Sequence, residues 1–323
     1  EKMVLPDASF PEDGEPIGSL VRVDVSDPAL CPRYTARAVT DVAIAPSPDW
    51  MQRRLRAIGV RPVNNVVDVT NYVLMECGHP LHAFDYDLLT NHAVIVRRAR
   101  EGEPFVTLDH KERSLSPDTL MICDAAKPVA IAGVMGGANS EISDRTVNIL
   151  IESAYFEPRS IRRTSKRFGL SSEASQRFER GADLNLTAWA VDRAVQLIGE
   201  LAGGEVLKGR IDIYPKKIRE RKIRLRIDRA SKLLGIPLTV ARVTPLLEAI
   251  GIKTLKHQGA VHCIIPSFRP DLEREIDVVE EVARTYGYEN IPTEQRVSVN
   301  LPEIPPVPDT EGMLRSTLVG RGF

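Results

Sequence analysis

The side chains of this sequence that could do chemistry fall into three groups. The first is His82, in the stretch Pro80-Leu81-His82-Ala83-Phe84-Asp85, with Arg61 some twenty positions earlier. The second is Glu152, which follows the apolar run Asn148-Ile149-Leu150-Ile151 and is therefore expected to be at least partly buried. An unpaired carboxylate in such a place is costly, so it must have a partner or a use. The third is Asp277, Glu280 and Glu281, which with Arg284 fall at i, i+3, i+4 and i+7 and share one helix face. Three carboxylates on one face read either as a solvated surface or as a hard-cation or docking site, since Mg²⁺ takes one or two carboxylates plus waters. Asp271 stands at the start of that helix, where capping already explains it. Taken alone, His82 reads more readily as a satisfied core histidine than as a catalytic group. No nucleophile–base–orienter triad is visible, which favours an oriented water over covalent catalysis.

The elements that must position these groups follow from periodicity and punctuation. Within residues 61–89, Asn64 or Asn65 caps a helix carried by Val66, Thr70, Val73, Leu74 and Cys77. Gly78 and Pro80 stop it, and residues 81–85 read as extended, presenting His82. Asn65, Asp68, Thr70 and Asn71 in so apolar a run need partners, which predicts a site there. Residues 1–19 read as linker or the remnant of a preceding domain, 20–25 and 34–44 as strands, and 49–58 as a helix. Short strands at 93–98, 103–108, 120–124, 130–134 and 148–153 predict a mixed, mostly antiparallel α+β domain.

Gly136-Gly137 is a glycine-demanding turn or a pocket wall of bare backbone, since neither a phosphate loop nor a dinucleotide fingerprint fits. Residues 159–180 are basic and flank Gly169-Leu170-Ser171-Ser172-Glu173-Ala174-Ser175, so they read as a solvated face or a phosphate contact. An amphipathic helix over 186–201 ends at Gly203-Gly204, and 206–216 reads as a connector. A basic strand (223–227), two short helices and a hairpin over 253–266 turning at Gln258-Gly259 predict a small winged-helix-like α/β-hairpin domain. In the next helix Leu272, Ile276, Val279 and Ala283 form the expected apolar stripe.

Composition sets the outer limits. At 323 residues the chain needs more than one domain, and 43% hydrophobic with 27% charged residues describes a soluble globular protein. A net charge of −1 confines any nucleic-acid contact to local patches. Cys31, Cys77, Cys123 and Cys263 are scattered, which excludes a zinc ribbon or disulfide framework and reads as cytosolic thiols. No apolar run reaches membrane length. A helix-like start just before Phe323 suggests a fragment of something larger.

Val66-Val67-Asp68-Val69-Thr70-Asn71-Tyr72-Val73-Leu74 running into Pro80–Asp85, with Ser175-Gln176-Arg177-Phe178-Glu179-Arg180-Gly181, resembles the β subunit of bacterial phenylalanyl-tRNA synthetase. Residues 269–288 match the next module of that family, and the match spans about 20–293 in family order. The resemblance implies an editing domain at 20–205 that hydrolyses tyrosine wrongly esterified to tRNA(Phe), and a winged-helix-like module at 217–292. It also implies that 293–323 is a linker and the start of a truncated catalytic-like domain. By motif, Glu152 would read the tyrosine hydroxyl, Gly136 and Ala174 would leave room for its ring, and Ser172, often threonine in the family, would bind the aminoacyl end. Arg61 and His82 would hold the terminal adenosine and ester or position water. Asp271, Asp277, Glu280 and Glu281 would be associated with Mg²⁺ near an α subunit, which itself uses ATP. The implied partners are that α subunit, in an α2β2 assembly, and tRNA(Phe), with a cytoplasmic location and no membrane; DNA binding by the basic strand of the second module is the weaker idea, against which the acidic helix argues. The competing reading is a non-catalytic scaffold for assembly and tRNA docking.

Overall fold

The computed structural model describes residues 5–257, 259–292 and 309–323. Strand β1 (Asp13–Pro16) and a helical turn α1 (Ile17–Leu20) lead to β2 (Arg22–Val25) and β3 (Arg33–Thr40). Helices α2 (Asp49–Ala57) and α3 (Asn65–Cys77) precede β4 (His82–Asp85) and β5 (Ala93–Arg98). Short strands β6 (Pro104–Val106), β7 (Glu112–Ser114), β8 (Leu120–Cys123), β9 (Pro128–Ile131) and β10 (Met135–Gly136) lead to β11 (Ile149–Tyr155). Then come α4 (Pro158–Phe168), α5 (Glu173–Phe178), α6 (Thr187–Ala202), β12 (Glu205–Lys208) and β13 (Ile211–Ile213). The second module holds β14 (Arg221–Arg226), α7 (Ile227–Leu234), α8 (Val240–Glu248), β15 (Lys253–His257), β16 (Ala260–Ile265) and α9 (Glu275–Tyr286), with α10 (Thr310–Gly320) beyond it.

Two large sheets, a two-stranded β6-β7 ribbon and a helical layer make up the first module among the described residues. The six-stranded sheet runs β1-β12-β3-β11-β4, with β13 also on β3, and the five-stranded sheet runs β10-β9-β8-β5-β2. Among the described strands only β1/β12 and β2/β5 pair in parallel, so the mixed, mostly antiparallel α+β class is borne out. Strand alternation divides the larger sheet's side chains between two cores. Tyr34, Ala36, Ala38, Phe84, Leu150 and Ala154 face the smaller sheet. Val39, Ala83, Ile149 and Ile151 face the other way, against Met51 and Leu55 of α2, Val66, Val69 and Val73 of α3, and Val191 and Val195 of α6.

Helix α3 forms as its punctuation dictates. Asn64 caps it, accepting from the Val66 and Val67 N–H groups at 3.2 and 2.9 Å, and Gly78 ends it at φ 78°. Its buried polar residues, however, serve structure. Asn65 donates to the carbonyls of Ala43 (2.9 Å) and Leu201 (3.2 Å), and Asp68 accepts from the Ser47 hydroxyl (2.6 Å) and the Val63 N–H (2.7 Å). Thr70 bonds back to the Val67 carbonyl of its own helix. The partners are loop backbone, the Ser47 hydroxyl and carbonyls of α6 and of α3 itself, and not a ligand.

Other expectations change. Part of the expected linker is structured, since Asp13–Pro16 pairs with β12 and Glu12 forms an ion pair with Arg37 at 2.5 Å. The expected connector supplies β12 and β13, both hydrogen-bonded to β3. In the second module β14, β16 and β15 form a three-stranded sheet against α7, α8 and α9. The hairpin turn expected at Gln258-Gly259 has its first residue outside the described residues, as are 293–308 of the expected linker. Among the described residues no helix is long and apolar enough to cross a membrane.

Candidate functional site

Strands β11 and β4 assemble the site. Their antiparallel register sets Glu152 directly opposite His82, and side chains in such a pair have Cβ atoms about 5 Å apart on one face. That face looks into the core between the two sheets, so Glu152 is only 5% exposed. Its Oε2 accepts a hydrogen bond from the Tyr34 hydroxyl at 2.9 Å. Tyr34 reaches it diagonally, because β3 pairs Ala36 with Glu152 and Tyr34 with Ala154. Oε1 takes part in no hydrogen bond with the described residues, yet it is not among the sealed polar atoms without partners, so it keeps some accessible surface. Burial pushes the Glu152 carboxyl up to about 8, and the Tyr34 hydrogen bond opposes that rise. At neutral pH the group is mainly an uncharged acid that can both donate and accept.

His82 is half-buried, its ring edge-on to Phe84 with centroids 4.4 Å apart. Neither ring nitrogen bonds to the described residues or is sealed off, so both are available. Burial drives its pKa down to about 4, which makes it a neutral imidazole and a weak base at pH 7. Gly136 lies against this ring. A Cβ there would stand 2.7 Å from His82 Cε1, so the space its missing side chain leaves is filled by the imidazole. The resemblance reserves that space for a substrate ring, and the structure gives it to His82.

Ser172 and Ala174 arrive on α5. Ser172 caps that helix, accepting from the Ser175 N–H at 3.0 Å, and its hydroxyl donates to the Val134 carbonyl at 2.8 Å. That tether fixes α5 two residues from Gly136. Ala174 is half-buried against the inter-sheet core. Arg61 is elsewhere. It is exposed in the loop before α3, and the Arg177–Met75 contact (3.3 Å) puts the opposite end of that helix near α5. At about 1.5 Å per residue, roughly 20 Å of helix separates Arg61 from the His82 end. Tyr34 is the functional side chain missed in the sequence. Only a cross-strand pairing 118 residues apart reveals it, and nothing local signals that.

The four acidic residues of the second module are not brought together as a cation site. The helix begins at Glu275, with Arg274 as its N-cap; Asp277, not Asp271, closes the first turn, accepting from the Glu273 and Arg274 N–H groups at 2.9 and 2.7 Å. Glu281 is 6% exposed and clasped by Arg269 (3.0 Å) and Arg284 (2.6 Å), which hold its pKa near 2. Asp271 is paired with Arg269 at 2.6 Å, and Glu280 is exposed. Leu272, Val279 and Ala283 of the expected stripe are buried, joined by Val278, Val282 and Glu281, while Ile276 is 46% exposed. Among the described residues no group of three or more His, Cys, Asp or Glu could hold a metal. Guanidinium and backbone N–H groups occupy the oxygens of Asp271, Asp277 and Glu281, which leaves Glu280 as one exposed carboxylate, so these residues as arranged do not fit Mg²⁺.

A β-sandwich-like core carrying a buried carboxyl beside a neutral imidazole, joined to a small module of three strands and three helices, defines the class. The B3/4 domain model matches residues 30–203, and the tRNA synthetase B5 domain model matches 223–288. The chain belongs to the B3/4 domain family. It is 51% identical over its full length to the phenylalanine–tRNA ligase beta subunit of Geobacter sulfurreducens, of which the match covers 41%. It is 48% identical over 98% of its length to the same subunit of Salinibacter ruber, covering 39% of that protein. The chain thus spans about 40% of the length of the curated relatives it matches, and the resemblance read from the motifs is borne out. An N-terminal fragment of the phenylalanyl-tRNA synthetase beta subunit from Pyrococcus horikoshii aligns at TM-score 0.41 and 15% identity, over 86% of this chain and 78% of that one, values too low to bear on the site.

Proposed function

We propose that this chain is the editing and docking part of a phenylalanine–tRNA ligase β subunit, and that its first module hydrolyses tyrosine misattached to tRNA(Phe). The observation that carries the reading is Glu152, a buried carboxyl with one oxygen held by Tyr34 and the other keeping some accessible surface beside His82. A synthetic site built for phenylalanine rejects an isostere with an added hydroxyl by only about 100-fold. A second site that bonds the hydroxyl reverses the preference, because phenylalanine would leave Glu152 Oε1 unpaired. Glu152 then reads the phenol, and His82 orients water toward the ester carbonyl. Water adds to the carbonyl, the bond to the ribose oxygen breaks, and tyrosine and a free tRNA terminus leave. A histidine with a pKa near 4 suits this orienting role better than proton abstraction at pH 7.

Ser172 acts here by fixing α5 and the Val134 carbonyl, and Ala174 and Gly136 keep the wall low. Arg61, in the loop at the far end of α3, contacts RNA away from the ester. The exposed face of α4 supplies further phosphate contacts. The second module docks an α subunit in an α2β2 assembly in the cytoplasm, and ATP-dependent aminoacylation belongs to that partner. The chain incubated with tyrosyl- and phenylalanyl-tRNA(Phe) should release tyrosine faster than buffer does and faster than phenylalanine. Equal release at the buffer rate would overturn the reading.

A further inference from the structure

We propose that Tyr34 is a positioning residue that sets which oxygen of Glu152 meets a ligand hydroxyl, a role that rests on the editing reading for its substrate but not for its geometry. Tyr34 is fully buried at 0% exposure, and its hydroxyl donates to Glu152 Oε2 at 2.9 Å. A buried phenol must find an acceptor, and any backbone carbonyl would satisfy it. Here it has instead been spent on one oxygen of a carboxyl that has no other hydrogen bond among the described residues. With Oε2 occupied as an acceptor, an uncharged Glu152 carries its proton on Oε1, and an ionised Glu152 offers Oε1 as its free acceptor. In both states the reading atom is Oε1, the oxygen that keeps some accessible surface.

The surroundings leave Tyr34 as the means of holding the carboxyl. Ala36 stands opposite Glu152 on β3 and has only a methyl group to offer, and His82 on β4 makes no bond to the carboxylate. Without the phenol, the carboxyl is free to exchange its two oxygens between the accessible side and the core, and to share its proton between them. A carboxyl that interchanges its oxygens reads a hydroxyl less sharply, because part of each site's occupancy presents the wrong partner.

Tyr34→Phe removes one oxygen and keeps the ring that fills the core. In the full chain, binding of non-hydrolysable 3′-tyrosylamino- and 3′-phenylalanylamino-adenosine should show the tyrosyl preference reduced about tenfold, with phenylalanyl affinity unchanged. The Glu152 carboxyl, followed by ¹³C NMR, should titrate at higher pH in the variant, since the hydrogen bond that opposes its rise is gone. A Glu152→Gln/Tyr34→Phe double variant should discriminate no worse than Glu152→Gln alone. An unchanged preference together with an unmoved carboxyl titration would overturn the role of Tyr34 even if the wild-type chain edits. A wild-type chain that hydrolyses neither ester, but whose carboxyl titration and analogue preference still depend on Tyr34, would overturn editing and leave the positioning role standing.

Discussion

At the scale of single residues, the site is a study in what burial does to charge. Glu152 and His82 face each other across two strands, and burial drives both toward their neutral forms, the acid up to about 8 and the imidazole down to about 4. The consequences for stability have opposite signs. The native protein keeps Glu152 protonated between pH 4.5 and about 8 where the unfolded chain releases the proton, so this group makes stability fall as pH rises, by up to about 1.4 kcal/mol per pH unit. Glu152→Gln should flatten that decline in denaturant titrations run from pH 5 to 8; an unchanged slope would mean the carboxyl is already ionised. Gly136→Ala places a methyl against the imidazole at 2.7 Å. We expect it to displace His82 and slow tyrosyl-ester hydrolysis by about tenfold or more, with little change in melting temperature, since a modest misplacement of a positioning group is costly to rate. Full activity in that variant would remove His82 from the mechanism.

At the scale of elements, local signals carried what local physics decides. Helix α3 and its two caps, β4 and its histidine, and β5 were legible because capping and periodicity are written within a dozen residues. The strands at 13–16 and 205–213 were not, because each is made by pairing with a distant partner: β1 lies beside β12, and β13 beside β3. On helix α9 and just before it the apolar face was read correctly at Leu272, Val279 and Ala283, but Glu281 was placed on the solvated side because its burial depends on Arg269 of the preceding loop and on Arg284. Helix α4 turned out as a clean two-faced element. Ser160, Ile161, Thr164 and Ser165 are buried, while Arg159, Arg162, Arg163, Lys166 and Arg167 are exposed on the other side. Among the described residues Arg159, Arg162 and Lys166 have no acidic partner, and Arg163 has only a long, exposed contact of 3.6 Å with Asp118. Arg162→Glu with Lys166→Glu should weaken tRNA binding and make its salt dependence shallower by about one to two counterions, while leaving hydrolysis of a short aminoacyl-adenosine ester intact. An unchanged salt slope would mark α4 as a solvated face. The Ser172 cap is a smaller effect, and Ser172→Ala should cost about 1 kcal/mol of stability through α5.

At the scale of the whole molecule, the two modules store their charge in different ways, and acid should separate them. The first holds His79 and His82 neutral, each lowered by burial to about 4. It therefore loses stability as pH falls from 6.5, where the unfolded histidines gain protons, to 4. The second holds Glu275 and Glu281 ionised, lowered to about 2 by Arg226 and by Arg269 respectively. Its loss comes lower, as pH falls from 4.5 toward 2. Acid unfolding followed by aromatic fluorescence (Trp50 and Trp189 both lie in the first module) and by far-ultraviolet circular dichroism should show the first module opening at the higher pH. A single transition seen equally by both probes would contradict that order. The modules also touch, with Asn185 Nδ2 donating to Ser267 Oγ at 2.9 Å and Gly181 packed so close to Pro270 that a Cβ would lie 2.8 Å from it. In the basic strand β14, Arg221 pairs with Glu273 and Arg226 with Glu275, while Lys222 and Arg224 are exposed. The central claim is that Glu152 turns a pocket for an aromatic ring into one for tyrosine. Its most direct measurement is single-turnover hydrolysis of tyrosyl- and phenylalanyl-tRNA(Phe) by the wild-type chain and by Glu152→Ala. The account predicts that wild type releases tyrosine in strong preference to phenylalanine, and that the variant loses that preference by about 10- to 100-fold. A Glu152→Ala chain that still favours tyrosine as strongly as wild type would contradict it.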